Sequence, residues 1–141
     1  MQELFDLQQY TGVWHELASL PQWFETQCES AVAVYSARDD TLCVANYCLQ
    51  QGNIVSAITG IASVDGRYCD PRKLSVTFCN GATGTYWIHS TDYTMYSIVG
   101  NQQGTALWIL SRNQTVDAEF RHRMLVLCDE IGVQTGEMRW R

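Results

Sequence analysis

The sequence predicts an all-β fold: an eight-stranded antiparallel up-and-down barrel, with one C-terminal α-helix packed outside it and a short last strand. Three observations carry this. Apolar residues recur with a period of two over most of the chain. Turn residues cut that pattern at short, regular intervals into eight segments. The period becomes helical only after about residue 115. At 141 residues the chain reads as one domain, 1–141, large enough to bury a core.

The first strand covers 12–20. The run SAVAVYSA (30–37) is the second, and the turn RDD (38–40) leads into TLCVANYCL (41–49). QQGN (50–53) turns into IVSAITGIASV (54–64). The loop DGRYCDP (65–71) holds Asp-Gly and Asp-Pro, both strong breakers. RKLSVTFC (72–79), TYWIHST (85–91), YTMYSIVG (93–100) and TALWILSR (105–112) complete the eight, joined by NGATG and NQQG. From Val116 to Ile131 the apolar residues Phe120, Met124, Leu127, Cys128 and Ile131 fall on one helical face. Thr115 or Asp117 can cap its start and Gly132 its end. GEMRW (136–140) is the short last strand. Eight antiparallel strands in chain order can close on themselves, which removes exposed edges. Such a barrel is just wide enough for side chains or one small ligand.

Composition excludes several classes. Hydrophobic residues make up 46% and aromatics 11%, too many for a disordered chain. Fifteen acids against nine bases give a net charge of −6, and Lys73 is the one lysine, so no basic surface for nucleic acid or anionic lipid is expected. No apolar run reaches the roughly 18 residues of a membrane helix. The six cysteines, Cys28, Cys43, Cys48, Cys69, Cys79 and Cys128, contain no CxxC pair, so neither a zinc ribbon nor a thioredoxin-like motif is indicated. At least one disulfide is expected, chosen from about 15 full pairings. A disulfide implies an oxidising compartment and favours a secreted or periplasmic protein over a cytosolic one. Asn113-Gln114-Thr115 is an N-glycosylation sequon that fits secretion. The opening MQELFDLQQY has neither the basic start nor the apolar core of a signal peptide.

Gly12-Val13-Trp14 resembles the GxW signature that opens the first strand of lipocalins. Thr91-Asp92-Tyr93 resembles the second lipocalin motif, between the sixth and seventh strands. LWILSR, ending at Arg112, resembles the third, and a helix follows it as in that family. The likeness spans essentially the whole chain, and YTGVWHELASLPQWFE, YSARDD and LWILSR look most like the bacterial lipocalin and apolipoprotein D branch. The resemblance implies a calycin-type barrel shut at one end by Trp14, with the Arg112 guanidinium stacked over it. Gly12, Trp14, Asp92 and Arg112 are then structural residues. It also implies a small lipophilic ligand inside the barrel, near the positions matching Tyr35, Asn46, Trp87 and Trp108. At Cys48 the chain departs from apolipoprotein D, which has an acid there.

Alternation assigns the inner face. Trp14, Glu16 and Ala18 share it, as do Ala31, Ala33 and Tyr35, then Val44, Asn46 and Cys48, then Leu74, Val76 and Phe78. On the sixth strand Trp87 and His89 share parity with Thr91 at the base; on the eighth, Trp108 and Leu110 share it with Arg112. The lining is mostly apolar and aromatic with a few polar groups, the usual make-up of a small-molecule pocket. Cys48, Phe78 and His89 join the pocket set. Trp23 and Phe24, on the first loop, either gate the mouth or pack on its rim. Glu16, a buried charge, needs a partner.

Catalysis has few candidates. The chain has no GxSxG and no HExxH, and His15, His89 and His122 fall on separate elements, so neither a metal nor a cofactor is expected. Cys48 with His89 is the one nucleophile–base pair available. Three readings follow. The first is a non-enzymatic carrier that transports or stores a fatty acid, lysophospholipid or similar molecule, touching membranes peripherally through that ligand. The second is an isomerase or redox enzyme using the Cys48 thiol. The third is an interaction module whose barrel is filled by its own side chains.

Overall fold

The computed structural model describes residues 5–20 and 28–141. A short helix α1 (Leu7–Tyr10) precedes β1 (Gly12–Ser19), β2 (Ser30–Arg38), β3 (Thr41–Gln50), β4 (Asn53–Val64), β5 (Lys73–Phe78), β6 (Thr83–Thr91), β7 (Tyr96–Gly100) and β8 (Leu107–Ser111). Helix α2 (Ala118–Ile131) and β9 (Arg139–Trp140) follow. The strands run β2-β3-β4-β5-β6-β7-β8-β1-β9, and β1 also pairs with β2, which closes an antiparallel ring of eight. Trp23 and Phe24 lie outside the described residues.

Local chemistry explains the ends of these elements. Asp6 caps α1, a helix the hydrophobic pattern does not announce, by accepting from the Gln8 and Gln9 N–H groups. Gly12 has φ +106, and a Cβ there would stand 3.1 Å from Arg112 Nη1, so the chain needs a glycine where it turns into β1. Residues 93–95 form a turn rather than the start of β7. Asp92 Oδ1 accepts from the N–H groups of Thr94, Met95 and Tyr96 at 3.2, 2.8 and 3.0 Å, and Tyr93 sits at φ +67. Asp117 caps α2 through the Phe120 N–H, and Gly132, at φ +91, ends it.

Two cores result. The inner one fills the lower barrel with Tyr10, Trp14, Tyr35, Leu42, Val44, Leu74, Val76, Ile88, Val99 and Leu110. The outer one lies between α2 and the wall of β1, β7 and β8, where Phe120, Met124 and Cys128 meet Leu17, Ala18, Ile98, Leu107 and Ile109. Two inner-face expectations fail because of bulges, which add a residue and flip every side chain beyond them. The pairing of β1 with β8 shifts between Glu16 and Ala18, and Ala18 joins the outer core. The pairing of β6 with β7 shifts between Ile88 and Ser90, so Tyr86 and Ile88 point inward.

Candidate functional site in the open half of the barrel

The lower end is shut by stacked rings and a guanidinium. Trp14 is fully buried, and its Nε1 donates to the Tyr10 carbonyl at 2.9 Å. The Arg112 guanidinium lies 3.8 Å above the Trp14 ring. It donates to the carbonyls of Tyr93 at 2.9 Å, Val13 at 3.0 Å and Gln9 at 3.0 Å, so one side chain ties α1, β1 and the β6–β7 turn together.

Above this floor lies a layer of phenols. The Tyr35 and Tyr86 hydroxyls are 2.6 Å apart, Tyr86 and Tyr10 3.1 Å, and Tyr10 and Ser97 2.7 Å. Burial pushes the Tyr10 phenol up to about 12, and the Tyr35 and Tyr86 phenols well above their ordinary value. These groups stay neutral and can each donate and accept.

The upper half differs. Ala31, Asn46, Ile58, Phe78 and Trp108 face inward yet are only half-buried, and Ser56, opposite Cys48, is exposed. Between this cup and the phenols is a narrow pit of about 30 Å³, lined by Tyr35, Val44, Asn46, Ala62, Val76, Phe78 and Tyr86. It holds one water or one methyl-sized group. Phe78 stands at its edge with its ring against Gly60.

One flank of the cup is built from the chain's end. β1 leaves β2 after His15, and β9 pairs with it at Ala18 and Ser19. There Arg141 Nε donates to the buried Glu16 carboxylate at 2.6 Å, and its Nη1 donates to the Cys28 carbonyl. Glu16 thus has the partner a buried charge requires. Sequence reasoning could not name that partner, because it lies 125 residues away. Cys28 and Cys48 form a disulfide that ties the entry of β2 to β3, a bond suited to an oxidising compartment.

The structure redistributes the other site candidates. Tyr35, Asn46 and Phe78 come together around the pit, and Trp108 packs against the inner core. Trp87 does not: it faces outward, its ring 4.5 Å from Lys73 Nζ and 5.4 Å from the Tyr68 ring. His89 also lies on the outer side, where its Nε2 would stand 3.0 Å from a Cβ on Gly100. Burial, and secondarily the Lys73 charge, lower its pKa. The Cys48–His89 pair therefore does not exist; Cys48 is no thiol, and the enzyme reading built on it falls. Among the described residues no group of three or more His, Cys, Asp or Glu side chains is placed to hold a metal, and no helix is long and apolar enough to cross a membrane.

Comparison with known proteins agrees with this architecture. Residues 5–141 match the lipocalin-like domain family. The chain is 30% identical to the outer membrane lipoprotein Blc of Citrobacter freundii, over 96% of this chain and 78% of that protein. It is 31% identical to apolipoprotein D of Cavia porcellus, over 84% and 67% respectively. Insecticyanin from Manduca sexta shares the fold with a TM-score of 0.76 at 23% identity, covering 97% of this chain and 80% of that one. Lipocalins are in general binding proteins for small hydrophobic molecules. By its closed ring of eight strands, its Trp14–Arg112 floor and these relatives, the chain belongs to the lipocalin family, in the branch of the bacterial lipocalins and apolipoprotein D.

Proposed function

We propose that the protein binds one slim lipophilic molecule, a fatty acid, a lysophospholipid or similar, in the upper half of the barrel, and carries or stores it reversibly outside the cytosol. The observation that carries this is the contrast between the two halves. Inward residues below the phenol layer are buried, whereas Ala31, Asn46, Ile58, Phe78 and Trp108 above it keep accessible inner surface. The walls are mainly apolar and suit a hydrophobic tail, with the Asn46 amide as a hydrogen-bonding group beside the pit. Burial of that tail gives about 25 cal/mol per Å² gross, less the cost of immobilising the ligand. The roughly 30 Å³ of the pit favours a ligand seated high, its polar end at the mouth.

The same small volume supports a second reading, a barrel filled by its own side chains and used for protein contacts. Native mass spectrometry and tryptophan-fluorescence titration of delipidated protein separate the two. An oleic-type acid or a lysophospholipid should quench saturably at one-to-one stoichiometry, and Trp108→Phe should weaken both signal and affinity. No bound mass and no response from either class would establish the filled barrel.

A further inference from the structure

The turns at the two ends of the barrel differ in charge. Those at the shut end, 38–40 and 65–72, hold both acids and bases. Those at the open end, 50–53, 79–82 and 101–105, hold neither Asp, Glu, Lys nor Arg. Positive charge reaches the mouth from β9 instead. Ala18 faces the outer core, and its partner Trp140 packs there too, with the Arg121 guanidinium 5.5 Å from its ring. Alternation turns the residues on either side, Arg139 and Arg141, to the inner face. Two contacts agree. Arg141 meets the buried Glu16, whose strand partner Leu110 belongs to the inner core. Arg139 pairs with Ser19, which pairs with Trp108, itself packed on that core. Trp108, Ser19 and Arg139 thus form one row across β8, β1 and β9 at the top of the wall.

The two arginines are placed differently. Arg141 is engaged by the Glu16 carboxylate and the Cys28 carbonyl. Arg139 is exposed, and among the described residues its side chain forms no ion pair or hydrogen bond. Every other base of the chain lies toward the shut end or on α2. An alkyl chain seated in the cup leaves its head at this rim. There Arg139 offers a planar fork of N–H donors that matches a carboxylate or a phosphate. A neutral head gains only an ordinary hydrogen bond. With a net charge of −6 the chain as a whole does not attract anions. The tail therefore supplies most of the affinity, and the guanidinium the choice of head.

We infer that Arg139 is the head-group residue of the cup: the ligand is an alkyl chain ending in an oxyanion, a carboxylate or a phosphate, that pairs with this guanidinium. The inference rests on the carrier reading above.

Fluorescence titration of delipidated protein at pH 8 with oleate, oleoyl lysophosphatidate and oleyl alcohol, all below their micelle concentrations, tests this. Arg139→Gln should weaken both anions roughly tenfold, the scale of a charge-assisted hydrogen-bonded pair, and leave the alcohol unaltered. The larger loss identifies the head: a carboxylate if oleate suffers more, a phosphate if lysophosphatidate does. Arg139→Lys should keep part of the anion affinity, because it keeps the charge without the fork. Arg38→Gln removes the same charge at the shut end and should change nothing. Raising salt to about 0.5 M should weaken the anions on the wild type and not on Arg139→Gln. An unaltered urea midpoint and retained alcohol affinity establish that the variant cup is intact. A variant that weakens anions and alcohol alike, or neither, would overturn this inference alone, as would wild-type anion affinity indifferent to salt. Absence of binding by all three ligands would overturn the carrier reading and this inference with it.

Discussion

The Phe78 ring lies across the inner face of Gly60, so that a Cβ on Gly60 would stand 2.9 Å from Phe78 Cδ1 and 3.1 Å from the Thr77 carbonyl. The ring also borders the pit. Gly60→Ala should therefore displace it and cost about 1–3 kcal/mol, the range for overpacking a core. In a urea double-mutant cycle, Phe78→Leu should recover part of that loss. Phe78→Ala should deepen the pit and raise affinity for long-tailed ligands relative to short ones. An unchanged chain-length profile would deny Phe78 any role in ligand depth.

Arg112 combines a ring contact with three hydrogen bonds to carbonyls of separate elements. Arg112→Ala should lower stability by about 2–4 kcal/mol, combining a partly desolvated cation–π contact with charge-assisted hydrogen bonds. Arg112→Lys should not restore it, because a lysine cannot present the planar fork. Ligand affinity, measured at temperatures where the variant stays folded, should be unaltered, since this end of the barrel is shut.

The buried phenols make the fold sensitive to alkali. An unfolded tyrosine ionises near about 10, while burial holds Tyr10 up to about 12 and Tyr35 and Tyr86 above their ordinary value. The unfolded chain loses these protons first, so their contribution is fully present below pH 10 and is lost as pH rises through about 12. Spectrophotometric titration should show three of the seven tyrosines ionising only with unfolding. Tyr35→Phe should cost about 1 kcal/mol for its hydrogen bond and reduce that late group to two.

Thiol counting checks the cysteine assignment. Cys43, Cys69, Cys79 and Cys128 are free, and Cys28 is bonded to Cys48. Ellman titration in denaturant should find four thiols. In the folded protein Cys128 should react last, because burial under α2 pushes its pKa up to about 11. Replacing Cys28 and Cys48 together by serine should cost about 3 kcal/mol for the released loop and leave ligand binding at least partly intact. Complete loss of binding with the fold preserved would mean the bridge shapes the cup directly.

The sequence by itself determined the strand count and order, the helix and its Asp117 and Gly132 ends, and the floor residues Trp14 and Arg112. These rest on local signals: the two-residue and 3.6-residue periods, turn residues, and short motifs at strand ends. Only the tertiary structure decided which way Ala18, Trp87 and His89 face. A bulge leaves no mark in the hydrophobic period, yet it inverts every position beyond it. Only the fold, too, joined Tyr10, Tyr35 and Tyr86, paired Glu16 with Arg141, and selected Cys28 and Cys48 from the pairings that six cysteines allow. The Glu16–Arg141 and tyrosine contacts join distant parts of the chain through the ring and the terminal strand, and the register of the β2–β3 hairpin sets Cys28 beside Cys48, 20 residues on.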